Sequence, residues 1–215
     1  MITLENYITF DNDITKRYAV KHHNLVSLEI TRKERKDLAL PCWGIISNGG
    51  NIEFIDYDGT IKSRILSGII HKETIVETFL LENSTITKSI VSKMYAKEWQ
   101  YDEQTKKVYV TLSDNLEKLQ DINIDLVKTP MVDDMLASTL YNTLRDATIQ
   151  NGFNVMEFAN LDATTKSHLE NYAFPNFFID NMTLWGAWKN FCEALQLYMY
   201  QDKNGEVVCV YKGGK

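Results

Sequence analysis

Histidine is the side chain best suited to acid–base catalysis and metal binding near neutral pH, and this chain has four. His22 and His23 are adjacent, which matches neither the i,i+4 face of a zinc-binding helix nor the usual spacing of metal ligands. We predict that this pair lies at the surface or on an edge strand. His71 and His168 stand alone, and no serine lies in a G-x-S-x-G pattern. No catalytic residue can be named, so the sequence predicts a protein that is not an enzyme.

Clustered carboxylates could ligate calcium, and five aspartates are candidate ligands: Asp56, Asp58, Asp102, Asp133 and Asp134. Their spacing does not match an EF-hand loop, and Asp58-Gly59 is typical of a turn. The closest approach to a phosphate-binding loop is Asn48-Gly49-Gly50-Asn51. It lacks the Lys-Ser/Thr ending and the following helix, so we predict a loop between strands. No metal or cofactor is predicted.

Aromatic residues are numerous, with 11 Tyr and 4 Trp, and exposed aromatic rings can form a platform for sugars. The positions considered are Trp99, Tyr101, Trp185, Trp188, Tyr198 and Tyr200. Trp188 lies on the apolar stripe of a predicted helix, and Tyr198 and Tyr200 share one face of a predicted strand. Packing in a core or a subunit interface is therefore the favoured interpretation, with sugar binding as the alternative.

The composition is that of a globular protein with a net charge of −6, which disfavours tight binding to nucleic acid. The basic run at 32–36 is interrupted by Glu34 and is interpreted as a solvated loop. Three cysteines with apolar neighbours, Cys42, Cys192 and Cys209, predict buried free thiols in a protein assembled in a reducing cytoplasm. Neither a signal peptide nor an apolar run of about 18 residues is visible.

Residues 1–128 are predicted to be mostly β. Alternation or β-branched runs indicate strands at 25–31, 74–81, 85–101 and 108–112. Residues 52–56 and 60–65 flank Tyr57-Asp58-Gly59 and predict a hairpin. Ser113 is predicted to cap a short helix that carries Leu116 and Leu119 on one face.

Residues 129–182 are predicted to be helical, after a change of composition at Thr129-Pro130. Asp133 and Asp134 open the first helix, which ends at Gly152. Its apolar stripe is Met135/Leu136, Leu140, Leu144, Ala147 and Ile149. A second helix begins near Asp162 and ends before Phe174-Pro175.

Residues 183–215 predict a helix followed by a hairpin. Asn181 or Thr183 opens the helix, whose apolar positions are 184, 188, 191, 192 and 195. The hairpin turns at Asn204-Gly205, the strongest short hairpin signal. Because an isolated hairpin is marginal in water, it needs a larger sheet. We therefore expect an assembly component, or the front part of a longer one.

Three segments resemble the hub proteins of bacteriophage tail baseplates, a family shared with contractile injection systems: 40–59, with its Asn/Gly and Asp-Gly turns; 99–102 with 108–116; and the helix and hairpin of 184–211. Hub proteins are usually longer than this chain. The resemblance implies an α+β fold with a β-rich, tube-like (barrel-like) N-terminal domain, a helical segment, and a helix plus β-hairpin that begins a second tube-like domain.

The resemblance also implies a function. It implies a structural protein of the virion tail, assembled in the host cytoplasm, that forms a trimeric or hexamer-like ring and contacts other tail proteins. DNA would pass through the lumen without adhering, and no cofactor or membrane span is implied. The alternatives are a carbohydrate- or receptor-binding module of a phage tail and an intracellular hydrolase whose site is spread over loops. The molecular mass measured in solution distinguishes the ring from a sugar-binding module that is a monomer.

Overall fold

The computed structural model describes residues 4–10, 18–19, 25–33, 44–68, 75–82, 85–124, 135–174 and 182–211. Two compact units are interleaved along the chain. Unit 1 comprises Met1–Lys33, Asn48–Asp114 and Lys203–Gly205, and unit 2 comprises Glu34–Ser47, Asn115–Asp202 and Glu206–Lys215. The α+β class is confirmed. The division at 1–128, 129–182 and 183–215 stays a prediction.

Unit 1 is built mainly of strands. Its elements are β1 Leu4–Phe10, β2 Tyr18–Ala19, β3 Leu25–Lys33, most of β4 Gly44–Ile55, α1 Thr60–Leu66, β5 Ile75–Glu82, β6 Thr85–Asp102 and β7 Lys107–Ser113. Six of these strands pair antiparallel in the order β4-β7-β6-β5-β1-β2, and β3 pairs with β4 beside this path. The strands predicted at 25–31, 74–81, 85–101 and 108–112 are confirmed.

Alternation places one face of this sheet in the core of unit 1. In β7, Val108, Val110 and Leu112 are buried while the residues between them are exposed. They pack with residues of β4, α1 and β6: Ile52, Phe54, Ile61, Met94 and Ala96. The period of two that predicted the strand therefore also identified its buried face.

The hairpin predicted at 52–65 is wrong in its second half, because Thr60–Leu66 is the helix α1. Gly59 adopts a left-handed conformation with φ +71° and directs the chain into the helix. The carboxylate of Asp56 accepts hydrogen bonds from the backbone N–H groups of Ile61 (3.1 Å) and Lys62 (2.8 Å). These bonds satisfy donors that the first helical turn leaves free, so the turn residues start a helix instead of a second strand.

The loop predicted at Asn48-Gly49-Gly50-Asn51 is also wrong, since all four residues lie inside β4. Gly49 and Gly50 are paired in register with Ser113 and Leu112 of β7. Asn48 is fixed from both sides: its N–H donates to the carboxylate of Asp114, and its carbonyl accepts from the Asp114 N–H. Pairing with a partner strand thus overrides the local turn preference of Asn and Gly.

A short helix follows β7 as predicted, but Ser113 does not open it. Ser113 is the last residue of β7, paired with Gly49 and Tyr95. The helix is a 3₁₀ helix at Asn115–Asp121 that buries Leu116 and Leu119. Its first N–H, on Asn115, donates to the side-chain oxygen of Gln201 at 2.8 Å. A side chain distant in sequence therefore satisfies the donor that Ser113 was expected to satisfy.

Unit 2 packs helices on short strands. After the 3₁₀ helix come β8 Asn123–Ile124, β9 Met135–Leu136, α2 Ala137–Gln150, a 3₁₀ turn at Phe158–Asn160, α3 Ala163–Glu170, β10 Ala173–Phe174, β11 Met182–Thr183, α4 Leu184–Ala194, β12 Leu197–Gln201 and β13 Val207–Tyr211. Strand β12 pairs antiparallel with β13 and parallel with residues 44–46 of β4. The pairs β9–β10 and β8–β11 are antiparallel and short.

The predicted helix and hairpin of 184–211 are confirmed. Thr183 caps α4, accepting a hydrogen bond from the Gly186 N–H at 3.1 Å. The turn between β12 and β13 contains Gly205 at φ +85°. All five predicted apolar positions of the helix are buried: Leu184, Trp188, Phe191, Cys192 and Leu195.

The other two helices are confirmed with changes at their ends. Asp162 caps α3, accepting from the Thr165 N–H at 3.0 Å. Helix α2 begins at Ala137, so Met135 and Leu136 form β9 instead of its first turn. Ile149 is exposed, and Tyr141 and Thr148 take part in the buried face instead.

Some predictions lie outside the described residues. These concern His22, His23, His71, Cys42, residues 34–37, Thr129-Pro130 and the pair Asp133-Asp134. Arg32 and Lys33 are described and end strand β3, so the predicted solvated loop does not begin at 32. Among the described helices, none has both the length and the apolar character needed to cross a membrane.

Candidate functional site

Three of the acidic side chains considered as calcium ligands lie in the described part of the chain, and each accepts hydrogen bonds from nearby backbone N–H groups. Asp56 is 1% exposed and starts α1. Asp58 accepts from the Thr60 N–H at 3.0 Å, and this hydrogen bond is the main reason that the pKa of Asp58 is lowered. Each carboxylate therefore has a local role in starting a helix.

Asp102 organises the turn between β6 and β7. It accepts from the hydroxyl of Thr105 at 2.7 Å and from the N–H of Gln104 at 2.9 Å. The Thr105 hydroxyl is the largest cause of the lowered pKa of Asp102. Within the described residues, no three His, Cys, Asp or Glu side chains come together as a metal site.

The aromatic residues proposed as a sugar platform do not all reach the surface. Trp188 is fully buried, and its indole N–H donates to the hydroxyl of Thr148 at 2.8 Å. It packs edge-on against Tyr141, with ring centroids 5.6 Å apart. The prediction that Trp188 is a core residue is confirmed. The other five are half-buried: Trp99, Tyr101, Trp185, Tyr198 and Tyr200.

The two described cysteines are buried free thiols, as predicted. Burial is the largest cause of the raised pKa of Cys192, and a hydrogen bond with the thiol of Cys209 is the next. A thiol whose pKa is raised carries little thiolate near neutral pH, so Cys192 is a poor nucleophile in the folded protein.

An open concavity of about 570 Å³ lies on unit 2, and we refer to it as the α3 groove. It is lined by Ala163, Thr164, Ser167, His168, Asn171 and Tyr211. Four of these positions, 164, 167, 168 and 171, form one stripe of α3 because their spacing is i, i+3, i+4, i+7. The end of β13 contributes Tyr211.

His168 and Tyr211 form the aromatic wall of the α3 groove. Their rings are stacked, with centroids 3.8 Å apart and planes 7° from parallel. The imidazole Nε2–H donates to the Leu195 carbonyl at 2.9 Å, where α4 ends. The backbone N–H of Tyr211 donates to the Thr165 hydroxyl at 2.8 Å. His168 is therefore held by the end of α4, and Tyr211 is held by α3.

Apolar side chains are exposed close to this wall. Tyr172 is 37% exposed, and its ring centroid lies 6.4 Å from that of His168. Leu136 is 46% exposed and is paired in register with Ala173, the residue after Tyr172.

Sequence reasoning did not assign a role to these groove residues. His168 was noted only as isolated, because its partners Leu195 and Tyr211 are distant in sequence. The available signal was the run of hydroxyl, imidazole and amide side chains at helical spacing after Asp162.

The fold of the chain is similar to that of two solved tail proteins. The 43 kDa tail protein of prophage MuSo2 from Shewanella oneidensis is similar, with a TM-score of 0.59 and 13% identity over 98% of this chain and 54% of that chain. A tail protein from Neisseria meningitidis MC58 gives 0.54 and 12% over 98% of this chain and 52% of that chain. No family model matches the sequence. No curated protein matches it either.

The chain spans about half the length of these two tail proteins. At 12–13% identity, the likeness establishes the fold. Because one fold can serve several functions, the role of this chain has to be argued from its own residues.

Proposed function

We propose that this chain is a structural component of a phage tail, at the baseplate hub or tail tip, which self-associates into a ring through the edges of its β-sheets. The observation that carries the proposal is the likeness of fold over 98% of the chain to two tail proteins. In this proposal the tube-like domain is completed by neighbouring copies, and other tail proteins bind the ring. The virion tail is then the site of action.

Strand β1 supports the proposed edge contact. All seven of its residues pair with β5 on one side. On its other side, β2 pairs with Tyr7 and Ile8 alone among the strands that the structure describes. An edge with free N–H and C=O groups is a template for a strand from another chain. A second copy that pairs there would extend the sheet across the subunit boundary.

The charge of the chain suits a channel for DNA. With a net charge of −6, an acidic surface repels phosphate within a Debye length of about 8–10 Å. A lumen of this sign would let DNA pass without adhering to the wall.

Three described aspartates have structural roles. Asp56 and Asp162 start helices, and Asp102 organises a turn. Each is engaged with neighbouring backbone, so none is positioned as a general acid or base by these contacts.

Solution mass and imaging test the proposal together. Light scattering coupled to size exclusion should give about three or six times the 24.9 kDa of one chain, and negative-stain images should show rings with a central opening. Dilution should dissociate the ring if the edge contacts are reversible. A particle that keeps the mass of one chain at every concentration, up to about 100 μM, would overturn the proposal, because a protein at a concentration far above its Kd is associated.

A further inference from the structure

The α3 groove has a polar and aromatic lining. Its lining residues supply hydroxyl groups from Thr164 and Ser167, an amide from Asn171 and the stacked rings of His168 and Tyr211, with no carboxylate, ammonium or guanidinium among them. A phosphate or carboxylate ligand would therefore find neither lysine nor arginine in the lining. The side chains instead match a neutral ligand that both donates and accepts hydrogen bonds.

The aromatic wall is pre-organised. His168 is held by its stack on Tyr211 and by its hydrogen bond to the Leu195 carbonyl. Thr165, which accepts from the Tyr211 N–H, is itself held by Asp162, with the two side-chain oxygens 2.6 Å apart. A ligand would not have to order these rings on binding, which lowers the entropic cost.

The polar stripe has hydrogen-bonding capacity directed to a ligand or to solvent. The Asn171 side-chain nitrogen donates to the Ser167 carbonyl at 2.7 Å and to the Ser167 hydroxyl oxygen at 3.3 Å, which leaves the Asn171 Oδ1 as an acceptor. The imidazole of His168 uses Nε2 for Leu195, so Nδ1 is its remaining hydrogen-bonding atom. Thr164 and Ser167 are exposed hydroxyls on the same stripe.

We infer that the α3 groove binds a neutral oligosaccharide. A sugar ring has hydroxyl groups at its rim and a C–H face that packs on aromatic rings, and the groove offers partners for both. The groove, of about 570 Å³, is open to solvent, so it would hold a sugar against its surface without enclosing it. This site is distinct from the aromatic platform considered from the sequence, and it does not depend on ring assembly.

Saturation-transfer NMR on the full chain tests the inference with two probes, maltotriose and chitotriose, each at about 20 mM. Shallow, open sugar sites bind weakly, so we expect a Kd of about 1–10 mM for at least one of them. In the amide spectrum, shifts should be confined to α3 and the end of β13. Failure of both probes to show saturation transfer would overturn the inference, and so would shifts that map to other residues.

Two substitutions locate the site. Ala163→Phe fills the groove without removing a hydrogen bond, and Asn171→Ala removes the amide; each should weaken binding at least about fivefold. Asn142→Ala, on the exposed side of α2, is the matched control and should bind as the unmodified chain does. Because Asn171 also ends α3, the melting temperature of each variant is measured, and Ala163→Phe alone decides if Asn171→Ala does not fold. Undiminished binding by Ala163→Phe would contradict the inference.

Discussion

The indole N–H of Trp188 donates to the hydroxyl oxygen of Thr148 at 2.8 Å, and the Thr148 hydroxyl donates in turn to the Leu144 carbonyl at 2.7 Å. Trp188 and Thr148 are both fully buried and lie 40 positions apart, on α4 and α2. A buried polar group without a partner is costly, so this relay fixes how the two helices pack. It is a polar link between two helices within the core of unit 2.

Replacing Thr148 by valine should destabilise unit 2. The variant keeps the shape of threonine but leaves the Trp188 N–H without an acceptor in the core, at a cost of about 1–3 kcal/mol. Urea denaturation followed by tryptophan fluorescence measures this change in the free energy of unfolding.

Thr143→Val is the matched control for that substitution. Thr143 lies on the same helix, and its hydroxyl makes the same kind of bond, to the Thr139 carbonyl at 3.1 Å, in an exposed position. Its loss should cost about 0.5 kcal/mol or less. Equal costs for the two variants would show that the Trp188–Thr148 bond adds no specific stability.

How much of this fold could be predicted depended on how local its causes are. Helix α4 and the hairpin after it were predicted because the apolar period, the Thr183 cap and the Asn204-Gly205 turn all act within a few residues. The strand at Asn48–Asn51 was missed because it depends on β7, and Asp114 holds Asn48 from 66 positions away. The turn preference of Asn and Gly is visible in the local sequence, whereas the pairing with a distant strand is not.

Helix α1 was missed for a different reason. Ile61 and Ile65 are spaced as on a helix, but the β-branched run and the preceding Asp-Gly turn favoured a hairpin. The helix is started by the carboxylate of Asp56, which accepts hydrogen bonds from the backbone N–H groups five and six residues further along the chain. The α3 groove was not predicted because its wall joins His168 to a residue at the end of β13.

Stability should fall with rising pH above about pH 8.5, because the pKa of Cys192 is raised in the folded protein. Above the ordinary thiol pKa, the unfolded chain loses the thiol proton while the folded chain retains it. The stability that the neutral thiol contributes is therefore fully present below that pH and is lost progressively as the pH rises above it. The slope contributed by one such thiol is about 1.4 kcal/mol per pH unit. Cys192→Ala should therefore show a shallower decline between pH 8.5 and 10 in urea titrations, relative to its own value at pH 7. Parallel curves would mean that Cys192 titrates in the folded state.

Removing the Asp56 carboxylate should destabilise α1 more than removing that of Asp58. Asp56→Ala leaves two N–H groups of the first turn without their acceptor, that of Ile61 in a buried position and that of Lys62 in a partly buried one, which costs about 1–3 kcal/mol. Asp58→Ala removes one exposed bond, to the Thr60 N–H, and should cost about 0.5–1 kcal/mol. Thermal unfolding of the two variants ranks them. The reverse order would assign the start of the helix to Asp58.

Proline substitutions in β1 should separate assembly from folding. Successive residues of a strand direct their N–H groups to opposite sides, so of Glu5 and Asn6 one donates toward β5 and the other toward the outer edge. Proline removes the N–H at either position.

A proline at the residue whose N–H faces β5 breaks a hydrogen bond within the sheet and should lower the melting temperature by several degrees, as expected for about 1–3 kcal/mol. At the outward residue it should leave the melting temperature of the dissociated chain nearly unchanged and weaken ring formation at least about tenfold, measured by light scattering over a dilution series. Each variant serves as the control for the other, since both carry one proline in the same strand. If neither substitution changes the association constant, the ring does not form through the edge of β1.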